Sequence, residues 1–323
     1  MENMSSIIDV PGIKVGQESN IDALTGCSVI LCEHGAVAGV DVRGGAPGTR
    51  ETALLNPVNL VEKIHAVFLG GGSAFGLDGA SGVMQYLEEK NIGFDVGVTK
   101  VPIVPAAVLF DLAVGDYKIR PDKEMGYRAC LNATDKFVMQ GNVGAGTGAT
   151  VGKIYGQKRS MKSGVGTYSV KTGRLVVGAI VAVNAFGDVV DLESGNILAG
   201  ALKPDADEFA DTVKVMRVVN GVAGNAFINN TTIGVVATNA KLSKSGANKV
   251  ASMAHNGLAR TIRPVHTMFD GDTIFALSTG EIEADINVVG LLACEAIAKS
   301  VVNAVIHAEG ISGYKSCKDI RMS

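Results

Sequence analysis

Short runs of apolar, often β-branched residues recur along the whole chain, separated by glycine or polar turns and interleaved with segments of helical spacing. Such runs suit buried strands, and their alternation with helices favours layers of sheet and helix around a shared core. "AVFLGGG" reads as a buried strand entering a glycine turn, and "GLDGASGVMQYLEEKNIG" as a helix closed by Gly93. "CSVILCEHGAVAGVDVRGG" reads as a hairpin, Cys27–Leu31 and Ala36–Val42, reversing at His34-Gly35. "LVVGAIVAVNAFGDVVD" (175–191) reads as two strands bending at Asn184. "DADEFADTVKVMRVVNG" is a helix with acids in its first turn and Gly221 at its end. "TTIGVVATN" and "DTIFALSTG" are strands, while "SGANKVASMAHNGLARTI" and "INVVGLLACEAIAKSVVNAVIHAEG" are helices. The polar tail 311–323 is expected at the surface. No linker, repeat or charge block divides the sequence, so residues 1–323 are expected to form one layered α/β domain with helices on both outer faces.

The 323 residues are 47% hydrophobic and 19% charged, a balance that supports a large core and argues against disorder. A net charge of -3 gives no electrostatic reason to expect nucleic acid as a partner. No run reaches the roughly 18 uninterrupted apolar residues expected of a membrane helix. The N-terminal sequence lacks a basic segment followed by an apolar one, so a cytoplasmic location is expected. The five cysteines (27, 32, 130, 294, 317) have no paired metal-site spacing and read as reduced thiols. The five histidines are scattered, and neither a metal nor a cofactor is expected.

Three known motifs are imitated, and each fails. "GATVGK" has Thr147 and Ile154 where a phosphate loop needs glycine and a hydroxyl residue. "GGSAFG" has Phe75 where a nucleophile elbow needs glycine, which leaves Ser73 as a helix N-cap. The same Phe75 breaks the dinucleotide-binding spacing. "DGD" (270–272) reads first as a turn before a strand.

"INNTTIGVVATNA" (228–240) sets Asn-Asn-Thr-Thr directly against the start of a core strand. A turn is the plain explanation. The alternative is a bond that the protein cuts in itself, Asn230-Thr231, leaving Thr231 as an N-terminal nucleophile.

Six blocks together carry a resemblance: "RGGAPGTRE", "LGGGSAFGLDGASG", "VPAAVLFDL", "GNVGAGTGATVGK", "NNTTIGVVATNA" and "RPVHTMFDGDTIFALSTG". From about residue 10 to 308, the chain resembles the DmpA-type peptidases. These are L-aminopeptidases with D-amidase/esterase activity, with β-aminopeptidases, a pantetheine hydrolase and nylon-oligomer endohydrolases among their relatives. The resemblance implies an α-β-β-α sandwich shared with ornithine acetyltransferases, a homo-oligomer (a tetramer), and self-cleavage into 1–230 and 231–323. From the nylon-hydrolase branch it carries catalytic positions onto Thr231, Lys153, Asn184, Asp270 and Asp272. The aminopeptidase branch has serine and glutamate around the two aspartate positions, so recognition of a peptide N-terminus is in question here.

The implied chemistry is amide hydrolysis of small peptide or amide substrates. A threonine hydroxyl needs a base, and the freed Thr231 amine, with an ordinary pKa of about 7.7–8.0, can serve as one. Asn184 would donate to the oxyanion, and Lys153 would favour the neutral amine. Asp270 and Asp272 would orient the amine and hydroxyl. The alternatives are acyl transfer of the ornithine acetyltransferase type, or an uncut, non-catalytic small-molecule binding protein.

Overall fold

The computed structural model describes residues 5–219 and 230–321. Nine strands make one mixed sheet: β1 (Lys14–Asn20), β2 (Thr25–Val42), β3 (Thr49–Arg50), β4 (Lys63–Gly70), β7 (Ala106–Val108), β10 (Val165–Thr172), β11 (Leu175–Asn184), β14 (Thr231–Ala240) and β16 (Thr273–Ile282). Their order is β10-β11-β14-β16-β2-β4-β7-β3, with β1 paired to β2. A three-stranded sheet holds β12 (Asp188–Val190), β13 (Ile197–Ala199) and β15 (Ile262–Arg263). Two ribbons pair β5 (Phe94–Asp95) with β6 (Lys100–Val101), and β8 (Thr150–Val151) with β9 (Met161–Lys162).

The large sheet folds over on itself, which makes the layers. Ile233, Val235 and Phe275 from one half meet Ile30, Val67 and Leu69 from the other in an inner core. Outside the β11-β14-β16 half lie α4 (Lys244–Thr261) and α5 (Ile286–Ile306), packed on Val181, Val236 and Ala276. Outside the β2-β4-β7 half, α1 (Gly79–Glu89) and α2 (Lys123–Leu131) cover Val29, Phe68 and Ala106. The result is the layered α-β-β-α arrangement. Odd-numbered side chains of β14 face the inner core and even-numbered ones face the helices, as the period of two requires.

Strand β2 corrects the hairpin reading. It is a single strand of 18 residues. The polar break at Glu33-His34-Gly35 is a bulge in the pairing with β4, where Leu31↔Ala66 steps to Ala36↔Ile64. Ile30, Cys32, Ala36 and Ala38 all stay on the inner core, so the apolar alternation passes through the break. One end of β2 pairs with β1 and the other with β16. The strand thereby links the two layers.

Other boundaries also move. Helix α3 spans Thr212–Val219, starting later than the acids at 205–208 suggested, because the buried Asp188 carboxylate accepts the Thr212 N–H and hydroxyl; Gly221 lies outside the described residues. Ser73 is not an N-cap: it begins a 3-10 turn at φ 54°, after Gly72. At the end of α1 the left-handed position falls on Asn91 (φ 56°) and not on Gly93. Asn91 and Ile92 N–H close the helix on Glu88 and Leu87. The tail is not wholly superficial, since Cys317, in α6 (Cys317–Arg321), packs into the helix-side core. Helix α5, with a mean hydropathy of 1.7, is long and apolar enough to cross a membrane by length and composition. Here much of that surface is buried against α4, β10 and β11.

Candidate active site

Register brings the site together. Asn184 is the last residue of β11 and stands opposite Thr231, the first residue of β14. Asn230 forms a parallel bridge with Asp270, and its N–H donates to the Phe269 carbonyl (2.8 Å). Thr231 faces the inner core side and Thr232 the helix side. Lys153 reaches in from the glycine-rich block, its own N–H held by the Phe186 carbonyl (2.9 Å). Thr231, Lys153, Asn184, Asp270 and Asp272 are all buried, none more than 3% exposed.

The Thr231 hydroxyl donates to the carbonyl oxygen of Asn230, the residue just before it. That oxygen also accepts the Gly271 N–H at 2.8 Å. Two donors therefore polarise the carbonyl of the Asn230-Thr231 bond. Gly271 is required by space: a Cβ there would meet the Ala46 carbonyl oxygen at 2.6 Å and Thr231 Oγ1 at 2.8 Å. The "RGGAPG" block braces the same turn, with Arg43 and Ala46 N–H on the Asp272 and Asp270 carbonyls. Gly44 lies so close that a Cβ would come within 2.3 Å of the Asp270 carbonyl oxygen.

Lys153 Nζ lies 2.8 Å from Asn184 Oδ1 and 3.1 Å from the Asn184 carbonyl oxygen. Asn184 Oδ1 also accepts the Thr150 N–H (3.0 Å), and Nδ2 donates to the Phe110 carbonyl (2.9 Å). The side-chain amide is thus clamped at both ends, and one of its two N–H donors is committed to protein. Burial pulls Lys153 down to about 7, against the pull of Asp270 and Asp111. Burial, and then the neighbouring Asp272, push Asp270 up.

The two carboxylates orient the backbone around the nucleophile position. Asp272 Oδ1 accepts the Thr232 N–H (2.8 Å), and Oδ2 accepts the His266 N–H (3.1 Å) and lies 2.8 Å from His266 Nδ1. Asp270 accepts from Phe186 N–H, Thr267 N–H and the Thr267 hydroxyl. Sequence reasoning did not name Gly271, His266, Asp111 or Lys162. Gly271 and His266 lie in a quoted block, but a backbone donor carries no side-chain signature. Asp111 is in "VPAAVLFDL"; Lys162 lies outside the quoted blocks. Among the described residues no cluster of histidine, cysteine or acidic groups could hold a metal.

Solved structures place this layering. A Pyrococcus horikoshii protein superposes with a TM-score of 0.74 at 21% identity, over 98% of this chain and 92% of that one. The l-aminopeptidase d-ala-esterase/amidase of Ochrobactrum anthropi, described as a variant of the Ntn hydrolase fold, gives 0.75 at 20% identity, over 99% and 92%. The chain shares the fold of these two proteins. The model of peptidase family S58 matches residues 5–318, and the chain belongs to that family, as an enzyme hydrolysing amide bonds. An "uncharacterized aminopeptidase" of Mycobacterium leprae is 44% identical over 96% of this chain and 92% of its own length. A 6-aminohexanoate-oligomer endohydrolase of Kocuria is 32% identical over 85% and 75%.

Proposed function

We propose that the protein cuts its own Asn230-Thr231 bond and that Thr231 then serves as the N-terminal nucleophile of an aminopeptidase or amidase. The observation that carries this reading is the Asn230 carbonyl oxygen, held between the Thr231 hydroxyl and the Gly271 N–H. Oγ1 attacks the carbonyl carbon, and charge develops on an oxygen that already has a fixed backbone donor, the arrangement that stabilises an oxyanion. The C–N bond breaks, the Thr231 nitrogen takes a proton, and an ester joins Asn230 to Oγ1. Water hydrolyses the ester, releasing the Asn230 carboxylate and the Thr231 hydroxyl.

The freed amine is then the base for the same hydroxyl against an external amide. Asp272, fixed through the Thr232 N–H and His266, stands beside the new terminus. Lys153, next to Asn184, supplies positive charge that favours the neutral amine. Substrates in this reading are small peptides or amides, a class that includes the 6-aminohexanoate oligomers named for the Kocuria relative. We place the mature enzyme in the cytoplasm as a homo-oligomer, a tetramer, and sedimentation as a monomer at micromolar concentration would oppose the assembly.

Intact mass of the purified chain tests the central step. Fragments corresponding to 1–230 and 231–323 are expected, together with hydrolysis of an amino-acid p-nitroanilide or a linear 6-aminohexanoate oligomer. One uncut mass with no amide hydrolysis would leave a binding protein instead. Acyl transfer to an added amine in preference to water would make it an acyltransferase.

A further inference from the structure

Behind Asn184 lie two buried charged residues that do not touch Thr231. Lys162, on β9, is wholly buried. Its Nζ donates to the carbonyls of Gly146 (3.1 Å), Ala149 (2.9 Å) and Ser163 (2.5 Å). The Ala149 carbonyl belongs to the peptide group whose N–H, on Thr150, donates to Asn184 Oδ1. In a trans peptide these two groups point in opposite directions. One peptide plane is therefore held by Lys162 on one side and presented to Asn184 on the other.

The other end of the Asn184 amide has a matching arrangement. Nδ2 donates to the Phe110 carbonyl, and the next residue, Asp111, is pinned by the Gly72 N–H (2.7 Å) and the Thr25 hydroxyl (2.8 Å). Gly148 packs against Asp111 so tightly that a Cβ there would come within 2.7 Å of the Asp111 Cβ. The loop tied by Lys162 and the loop tied by Asp111 thus touch each other as well as Asn184.

We propose that Lys162 and Asp111 are positioning residues that hold the Asn184 amide, and with it Lys153, in its working orientation. This rests on the self-cleavage reading above. Three carbonyl acceptors match the three N–H donors of an ammonium, and a neutral amine has only two. The full set of three bonds therefore requires Lys162 to be charged. Burial works against that charge, pulling Lys162 down to about 7, and Asp111 is the acidic group that opposes the pull. The charge of Lys162 in turn adds to the burial that lowers Lys153. Asp111 in turn is pushed up to about 6 by burial, against its bonds to Gly72 and Thr25 and the charge of Lys162.

The test is the first-order rate of self-cleavage, followed by intact mass on the full chain, which needs no substrate. Lys162→Met should fold and cut at least about tenfold more slowly, and that loss should vanish when Asn184 is already alanine, because coupled residues are not additive. Asp111→Asn keeps an acceptor for Gly72 N–H but removes the charge. Lys162 then loses its proton at lower pH, as does Lys153, which Asp111 also raises, so the alkaline fall in rate should move to lower pH, and by less where Lys162 is already methionine. A residue that only stabilises the fold would slow both backgrounds equally and leave that limb in place. A folded Lys162→Met that cuts at the wild-type rate, or a loss that persists in full beside Asn184→Ala, overturns the proposal. So does an Asn184→Ala chain that cuts as fast as wild type. If Lys162→Met does not fold, an unmoved alkaline limb in Asp111→Asn overturns it. A wild-type chain that never cuts removes both readings. An uncut Thr231→Ala beside an unaffected Lys162→Met removes only this one.

Discussion

Lys153 Nζ stands 2.8 Å from Asn184 Oδ1, and both side chains are buried. An ammonium held out of water by an amide and a carbonyl, with no carboxylate in direct contact among the described residues, is costly to fold. Its retention points to chemistry more than to stability. Lys153→Met keeps much of the volume and removes the charge. The variant should melt at or above the wild-type temperature while self-cleavage and amide turnover fall by at least about 10²-fold, the scale of losing one electrostatic stabiliser. Thermal melting and intact mass measure both. A large loss of melting temperature with normal cutting would assign Lys153 to the fold.

Position should separate the two chemically identical threonines. Thr231→Ala removes the hydroxyl at the Asn230 carbonyl and should leave an uncut, inactive chain. Thr231→Ser should still cut, at a rate altered by freer rotation about χ1. Thr232 faces the helix side, and its buried hydroxyl has no hydrogen-bond partner among the described residues. Thr232→Val fills the same space without that unpaired oxygen. It should cut normally and gain about 1 kcal/mol of stability. Mass spectrometry and denaturant melts decide. An uncut Thr232→Val beside a cut Thr231→Ala would identify the wrong nucleophile.

Legibility from sequence followed the side chain. Strand β14 could be read because Ile233, Val235 and Val236 announce a buried strand, and the quoted blocks drew attention to Lys153, Asn184, Asp270 and Asp272, which the fold gathers around Thr231. The continuity of β2 was obscured because His34-Gly35 carries turn chemistry, and only the inner core shows the alternation running through it. The Gly271 donor was invisible because a backbone N–H acquires meaning only from what stands opposite it. Lys162 was missed for a different reason: a lone lysine gives no sign of burial until three carbonyls are seen around it.

Asp188 gives a pH dependence with a defined sign. Its buried carboxyl accepts from Ala201 and Thr212, at the start of α3, and burial pushes its pKa up to about 6. In the folded state it binds a proton more readily than in the unfolded chain, whose carboxyl stays near 3.8. The contribution to stability is therefore fully present below about 3.8 and is lost as pH rises through about 6. Asp188→Asn cannot titrate. Between pH 4 and 7 the wild-type melting temperature should fall relative to that of the variant, measured in the uncut Thr231→Ala background. A constant difference across that range would place the Asp188 pKa at its ordinary value.

Gly271→Ala tests the geometry of the proposed cleavage most directly. The added Cβ would meet the Ala46 carbonyl oxygen at 2.6 Å, Thr231 Oγ1 at 2.8 Å and Pro47 Cα at 3.1 Å. Of these, the hydroxyl is free to move by rotation about χ1, whereas the two backbone atoms belong to the braced "RGGAPG" loop. Relief should therefore come from the Thr231 side chain turning off the Asn230 carbonyl and from a shift of the 270–272 turn that carries the Gly271 N–H. Both donors to that oxygen would be disturbed together. The chain should remain folded, since the change is one methyl group at the end of the sandwich, yet self-cleavage should slow by at least about 10²-fold. Intact mass over a time course, with circular dichroism to verify folding, gives the result. Wild-type cutting in a folded Gly271→Ala chain would mean that the hydroxyl attacks from some other position, and that the two-donor carbonyl is not the reacting arrangement.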